Sequence, residues 1–570
     1  MQKIKRIIFS EWGFFFIVLL IATAISIYPT LYEYFRRSKI PPDRSFELVY
    51  GFVWDFHVYL SKMLQGAQGG WLVFERYTSE IHNPSLLQIF YLFLGKIGCW
   101  FSFSTITSYH IFRVVFGLLW FLAGFLFIKI SFPNRPLLRK LAFLLFVFCG
   151  NFPKLVNDPN SYGFLFLGQK FELHMSGWTH LFPSDRVTFV PHWNAGHLFT
   201  ALTLLCLFKW YRLFSSGSRK SWIWGITAGA CGLLSGFILP PTLIISLVIF
   251  GLFSIKINID CLLQKRNLKQ FYLSYLSVLP FWVLSAIPLI YNLWVTSFYP
   301  WKALVEGDMY ITRMQFPYVE YLWGLGVTSV LGILGMILAF LIKKERLIFS
   351  GLWVFGSFLL IIVFDKLIVW HNQTRFVQVG IELPLAILTV FFLDSLFSSF
   401  KRFRDLLLII STIILLLPSV LSWVIVIKGN NDFVDQKMNG TYPSISMGPY
   451  VVYPSSDVMK AIEYLDKNMD TNSVSFSGPA FGNYLGAYSN KTSYIGHGAQ
   501  TVSYYNEKYP TTERFYKGQI SEEEIINVFK KHRVGFIIYG PEEKGFGEAV
   551  LKYKFLKPVF KSNEITIYKY

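Results

Sequence analysis

Apolar stretches about twenty residues long recur from the start of this chain to near residue 427, and every second gap between them is short and basic, while most of the others are long. A stretch of that length crosses the hydrocarbon core of a bilayer. Inside lipid its backbone polar groups must pair within the segment, so each stretch is a helix. The length criterion predicts about eleven spans, near residues 10–30, 106–131, 141–156, 193–211, 221–237, 240–256, 270–292, 319–342, 347–364, 377–397 and 405–427. The Pro240–Pro241 pair must be a turn or a helix break between two short spans. Residues 84–103 are also apolar, but Pro84, Gly95 and Lys96 interrupt them, which predicts a helix lying on or dipping into the outer surface.

Charge orients the spans. Lys3, Lys5 and Arg6 precede the first, and Arg135, Arg139 and Lys140 follow the second. Basic triplets then follow the fourth (Arg212, Arg219, Lys220), sixth (Lys265, Arg266, Lys269), eighth (Lys343, Lys344, Arg346) and tenth (Lys401, Arg402, Arg404). By the positive-inside rule the N-terminus is cytoplasmic and the C-terminus outside. The basic start, the apolar run and Ala22-x-Ala24 also fit a signal peptide. The run continues to about residue 30, so an uncleaved first span is the expectation.

The net charge of +19 is largely accounted for by this topology signal, since the short gaps carry Lys and Arg with few Asp or Glu to balance them. No basic stretch with interleaved aromatics suits a nucleic-acid groove, so the expected partners include membrane lipids and no nucleic acid. The five cysteines are scattered along the apolar part with no CxxC, and neither a disulfide framework nor a structural zinc is expected.

After residue 427 the pattern changes. Residues 428–453 read as a polar linker between a membrane domain, 1–427, and an outer domain, 454–570. In that domain Ser455, Ser456 and Asp457 signal a helix start, NSVSFSG and VGFIIYG read as strands, SEEEIINVFKKHR as a helix, and the last eighteen residues as two strands around a turn. The alternation predicts a small α/β domain. The fold class is thus an α-helical polytopic membrane protein with a small C-terminal extracytoplasmic α/β domain.

Function is expected on the outer face, where the long gaps fall: about 31–105, 151–192, 293–318 and 365–376. The first of them carries Asp55, Glu80 and His82 among aromatics, including Trp54, Trp71 and Tyr77. Carboxylates at a membrane surface are costly and mark candidate sites. Asp55 also suits the N-cap of a juxtamembrane helix starting at Phe56. Glu80 and His82 would diverge on a helix but can flank one site in an extended loop, binding sugar hydroxyls, the acceptor or a divalent ion. One carboxylate and one His are too few to name a metal site. The second gap adds Asp158, Glu172, His174, His180, Asp185, Arg186, His192 and His197, and interfacial roles suffice for the last two. Glu382 inside an apolar span calls for a polar partner in the bundle.

Within 54–95 the order is Asp55, Gly69, Gly70 and Trp71, then Thr78, Glu80, His82 and Pro84, then an aromatic run to Gly95. Together with IGHGAQTVSYYNEKYPTTERFYKG, within 494–518, this layout resembles the GT-C superfamily of membrane glycosyltransferases, in particular bacterial members related to protein mannosyltransferases and aminoarabinose transferases. The resemblance implies transfer of a hexosyl or pentosyl group from a polyprenyl-phosphate donor to a lipid, glycan or protein acceptor, with inversion, on the outer face of the cell membrane. It places Asp55 as the base or a metal ligand, with Glu80 the second catalytic candidate. His82 and Trp71 would bind substrate, and Arg313, Lys366 and above all Arg375 would hold the lipid phosphate. No cofactor is implied with certainty, and a divalent cation stays open. A transporter or flippase of lipid-linked sugars is the alternative; it predicts two matching halves with broken helices, and the sequence shows no internal repeat. A glycan polymerase or ligase would carry its dominant loop late in the chain.

Overall fold

The structure, a computed structural model, describes residues 10–49, 53–157, 164–175, 181, 183–263, 271–272, 275–313, 315–368, 371–441 and 452–570. Asp158 and His180 lie outside the described residues. The chain forms two compact units: Met1–Pro29, Phe112–Ile290 and Arg313–Asn430 make the first, and Thr30–Ile111, Tyr291–Thr312 and Asn431–Tyr570 the second.

Among the described residues nine helices are long and apolar enough to cross a membrane, or ten if one bent pair counts as a span. They are Glu11–Phe35, Thr105–Ser131, Pro191–Ser215, Ser221–Ile238, Pro240–Leu263, Leu276–Val295, Glu345–Lys366, Glu382–Ser399 and Arg404–Met438. The protein is therefore a multi-pass membrane protein, with fewer full spans among the described residues than the eleven the sequence predicts. The difference has two sites. Residues 141–156 do not make a span: the helix Pro136–Phe148 has 13 residues and ends before Gly150 and Pro153. At 1.5 Å per residue it is too short for a 30 Å core. Residues 319–342 form two helices, Tyr318–Gly324 and Val327–Leu341, bent by 96°. Gly326 makes the bend with a φ of +72°, and a Cβ there would run into the carbonyl of Gly150. The Pro240 break is as predicted: one helix ends at Ile238 and the next begins at Pro240.

The first unit has a large apolar core, with Trp120, Trp210 and Trp353 among its largest buried side chains. A small antiparallel sheet belongs to the same unit, in the order β1 (Pro153–Leu155), β3 (Gln169–Leu173), β2 (Phe164–Phe166).

The second unit is built on a five-stranded sheet in the order β5 (Thr492–Ser493), β4 (Val474–Phe476), β6 (Val534–Tyr539), β8 (Thr566–Lys569), β7 (Lys557–Lys561). The pairs β5–β4 and β4–β6 are parallel, and β6–β8 and β8–β7 antiparallel. Phe536 and Ile538 of β6 enter one apolar cluster, and Val534, Ile537 and Tyr539 another. Burial on both faces explains why β6 reads as an unbroken apolar run. The helix Ser456–Asn468 starts as predicted, with Ser455 Oγ accepting from Val458 N.

The first outer gap belongs to this unit too. Its helix Val53–Ala67 packs on Ile89–Trp100, the helix predicted within 84–103. Gly66 and Gly95 permit the approach: a Cβ at either would collide with backbone, of Leu92 and Met63 respectively. The last long helix runs on to Met438, through the first part of the expected linker. Its polar end is stable there because Asp435 pairs with Arg36 at 2.6 Å and Lys437 with Glu33 at 2.8 Å.

Candidate active site

Asp55 lies in the first turn of the helix Val53–Ala67, two residues inside it rather than at its N-cap, where the helix dipole favours a carboxylate. Its Oδ1 is 2.9 Å from Nε2 of His497. The Asp55 side chain keeps 41% of its surface open, His497 only 13%. Several contacts fix this helix. His57 Nε2 is 3.0 Å from Glu47 Oε2, and Lys62 pairs with Glu75 at 2.8 Å, all four side chains being buried. Burial lowers the Lys62 value although Glu75 opposes it. The Tyr77 hydroxyl donates to the His57 carbonyl at 3.0 Å, and Asn483 to that of Trp54 at 3.4 Å.

Glu80 turns to another partner. Lys508 Nζ, fully buried, donates to its carboxylate at 2.7 Å, to Thr78 Oγ1 at 3.0 Å and to Ser79 Oγ at 3.1 Å, and Thr78 also donates to Glu80. Burial alone would raise the Glu80 value, but the charge and hydrogen bond of Lys508 outweigh it and hold the carboxyl below its ordinary range. Burial also lowers the value of Lys508, so the pairing only partly offsets the cost of burying that ammonium. Ser79 Oγ is 2.7 Å from His532 Nδ1, and burial brings His532 down to about 4.

His82 folds back on its own loop. Its Nε2 accepts from Glu75 N at 3.0 Å, so Nδ1 carries the proton and donates to the Glu80 carbonyl at 2.8 Å. The ring stacks on Phe74 at 4.1 Å, and burial lowers its value. The Glu80 carboxylate and the His82 ring thus serve different partners. Trp71 is 66% exposed, with Lys96 Nζ 4.1 Å from its ring centre, and offers a face for stacking. Among the described residues no three His, Cys, Asp or Glu side chains come together to hold a metal ion.

In the first unit all three candidate cations meet at one segment. Arg313 donates to the carbonyls of His371 at 3.2 Å and Asp365 at 3.5 Å, and Lys366 pairs with the Asp365 carboxylate at 2.9 Å. Arg375 is exposed on the short 3₁₀ turn Gln373–Val377, in the same stretch of chain. Glu382 begins its helix, and its partner is Arg186, at 2.7 Å, with both side chains buried. His197 is also buried, not interfacial. It lies 3.5 Å from Arg186 and donates from Nε2 to the Gln378 carbonyl at 2.8 Å. Trp353 Nε1 donates to Val379 O at 3.0 Å. Together these bonds pin the backbone that follows Arg375.

Two residues with a part in the site, His497 and Lys508, are not among the sequence candidates. Both lie in the Gly-His…Lys segment that carries the resemblance, but their partners sit 442 and 428 positions away, beyond any local pattern.

No protein-family model and no curated protein matches this chain. Solved structures do. The oligosaccharyltransferase of Archaeoglobus fulgidus, tethered to an acceptor peptide with an NVT sequon, aligns with TM-score 0.52 and 12% identity over 94% of this chain and 70% of its own. Its complex with an inhibitory peptide and a dolichol-phosphate aligns at 0.50, 12%, 93% and 70%. The arabinofuranosyltransferase AftD from Mycobacteria gives 0.50 and 11% over 97% of this chain and 39% of its own. These are GT-C glycosyltransferases, and this chain has the GT-C fold.

Proposed function

We propose that the protein is an integral membrane glycosyltransferase that moves a sugar from a polyprenyl-phosphate donor to an acceptor on the outer face of the membrane, with inversion. The fold supports the class, and neighbours of that fold hold a tethered acceptor peptide in one structure and a dolichol-phosphate with an inhibitory peptide in another. The observation that carries the reading is Asp55: a half-open carboxylate on a rigid helix, held through one oxygen by an imidazole.

In this reading Asp55 takes the proton of the acceptor nucleophile as that atom bonds to the anomeric carbon. The bond from that carbon to the phosphate oxygen breaks on the opposite face, and polyprenyl phosphate leaves with the electron pair. Glu80 serves poorly as this base because Lys508 stabilises its ionised form; it acts as a fastener of the loop. Arg313, Lys366 and Arg375 would neutralise the lipid phosphate, with Arg375 foremost, and Trp71 would stack on a sugar or acceptor ring. Among the described residues no three-ligand metal set comes together, and a divalent cation beside Asp55 stays open. The N-terminus would be cytoplasmic and the C-terminal sheet outside.

The test is transfer in membranes supplied with a panel of polyprenyl-phosphate sugars, comparing wild type with Asp55→Asn at matched expression. Loss of roughly a thousandfold in the variant is expected; full transfer by the variant would remove Asp55 from the mechanism. Loss in EDTA restored by Mn²⁺ would move Asp55 from base to metal ligand. Translocation of the lipid-linked sugar without transfer would instead favour the flippase reading.

A further inference from the structure

We propose that His497 is the positioning residue for Asp55, so that the segment after β5 completes the candidate active site. This rests on the reading of Asp55 as the base. An unrestrained aspartate samples several rotamers, and only some direct a lone pair at an acceptor. A carboxylate can only accept, so His497 Nε2 carries the hydrogen and donates to Oδ1 over 2.9 Å. Fixing that oxygen fixes the plane of the carboxylate. An imidazole does this without the permanent charge of a guanidinium, which would weaken the base. Glu80, tied to Lys508, shows the opposite arrangement in the same loop.

The donor is itself held. The His497 carbonyl accepts from Gln500 N at 3.0 Å and Thr501 N at 2.9 Å, closing a tight turn. Thr501 Oγ1 donates to the Tyr77 carbonyl at 2.6 Å and accepts from Gly496 N at 3.1 Å. Gly496 lies against the Tyr77 ring, where a Cβ would come within 2.5 Å of Cδ1. On the far side of the turn Ala499 packs on Gly307, whose own Cβ would be 2.8 Å from that of Ala499. The turn is thus wedged between the first loop and the helix Trp301–Thr312, with little freedom to drift. The buried Nδ1 of His497 has no hydrogen-bond partner among the described residues. The bond to Asp55 is therefore the ring's one polar contact there, and its orientation serves that bond.

The experiment uses the full chain in membranes and a polyprenyl-phosphate sugar that the wild type transfers. His497→Phe keeps the ring and removes the donor, and His497→Gln keeps a donor. The expected result is a kcat about tenfold to a hundredfold lower for the Phe variant, with KM for the lipid donor and Tm unchanged, and recovery of most of the rate in the Gln variant. Adding His497→Phe to Asp55→Asn should cost nothing further. Wild-type kcat in the Phe variant, equal loss in the Phe and Gln variants, or a full additional loss in the double variant would each overturn the proposal. The base reading fails separately, if Asp55→Asn transfers as the wild type does.

Discussion

In the helical unit Arg186 and Glu382 meet inside an apolar core with 0% and 5% of their side chains exposed. In the second unit Asp55 and His497 meet with 41% and 13% exposed. Both are short contacts between residues distant in sequence, yet they suit different work. The first pair is sealed from any substrate; it holds its own backbone and, through His197, the stretch after Arg375. The second leaves the carboxylate open on one side while its partner is buried. Exposure, more than the presence of charge, separates a fastener from a candidate reactive group. Glu80 falls between them: its carboxylate is 27% open, but its partner Lys508 is fully buried and charged.

That contrast can be broken by substitution. Arg186→Met strands the Glu382 carboxylate in an apolar core and should cost about 4 kcal/mol. Thermal unfolding in detergent reads this, and Glu382→Gln in the same chain should return much of it. A single variant that melts with the wild type would mean the pair is not a fastener. Glu80→Ala leaves the buried Lys508 ammonium unpaired and should cost about 3 kcal/mol, while transfer per folded molecule persists; selective loss of transfer at unchanged stability would restore Glu80 to the chemistry. Arg375→Ala is expected to raise KM for the lipid donor about tenfold with little change in kcat, as loss of a phosphate contact would. A variant with unchanged KM would reduce Arg375 to an interfacial side chain.

The smallest effect is on pH. The folded value of Glu80 lies below its ordinary 4.5, so its contribution is complete above 4.5 and lost as pH falls through the depressed value. The stability gap between wild type and Glu80→Gln should therefore narrow only on the acid side of that point. A constant gap through the acid limb would show that the ion pair contributes nothing.

Much of the fold was legible because it follows from local rules. The apolar runs made most of the helices. The Pro240 break, the Ser455 cap and β6 lie where short-range signals put them. The misreadings have physical causes as well. The run over 141–156 is apolar beyond the point where its helix stops, and hydropathy cannot register Gly326 bending the next candidate by 96°. His197 looked interfacial because it lies near a helix start, yet it is buried against Arg186 and Gln378.

By itself the sequence determined a polytopic helical protein with a C-terminal α/β region, and it pointed to Asp55 in the first long gap. It did so because lipid and sheet both impose a periodicity that composition records directly. Only the tertiary structure decided that Glu80 answers to Lys508, that His82 turns back on its own backbone, that Glu382 is met by Arg186 and that Asp55 is held by His497. These pairings join residues separated by up to 442 positions, and such contacts are fixed by packing rather than by any signal along the chain.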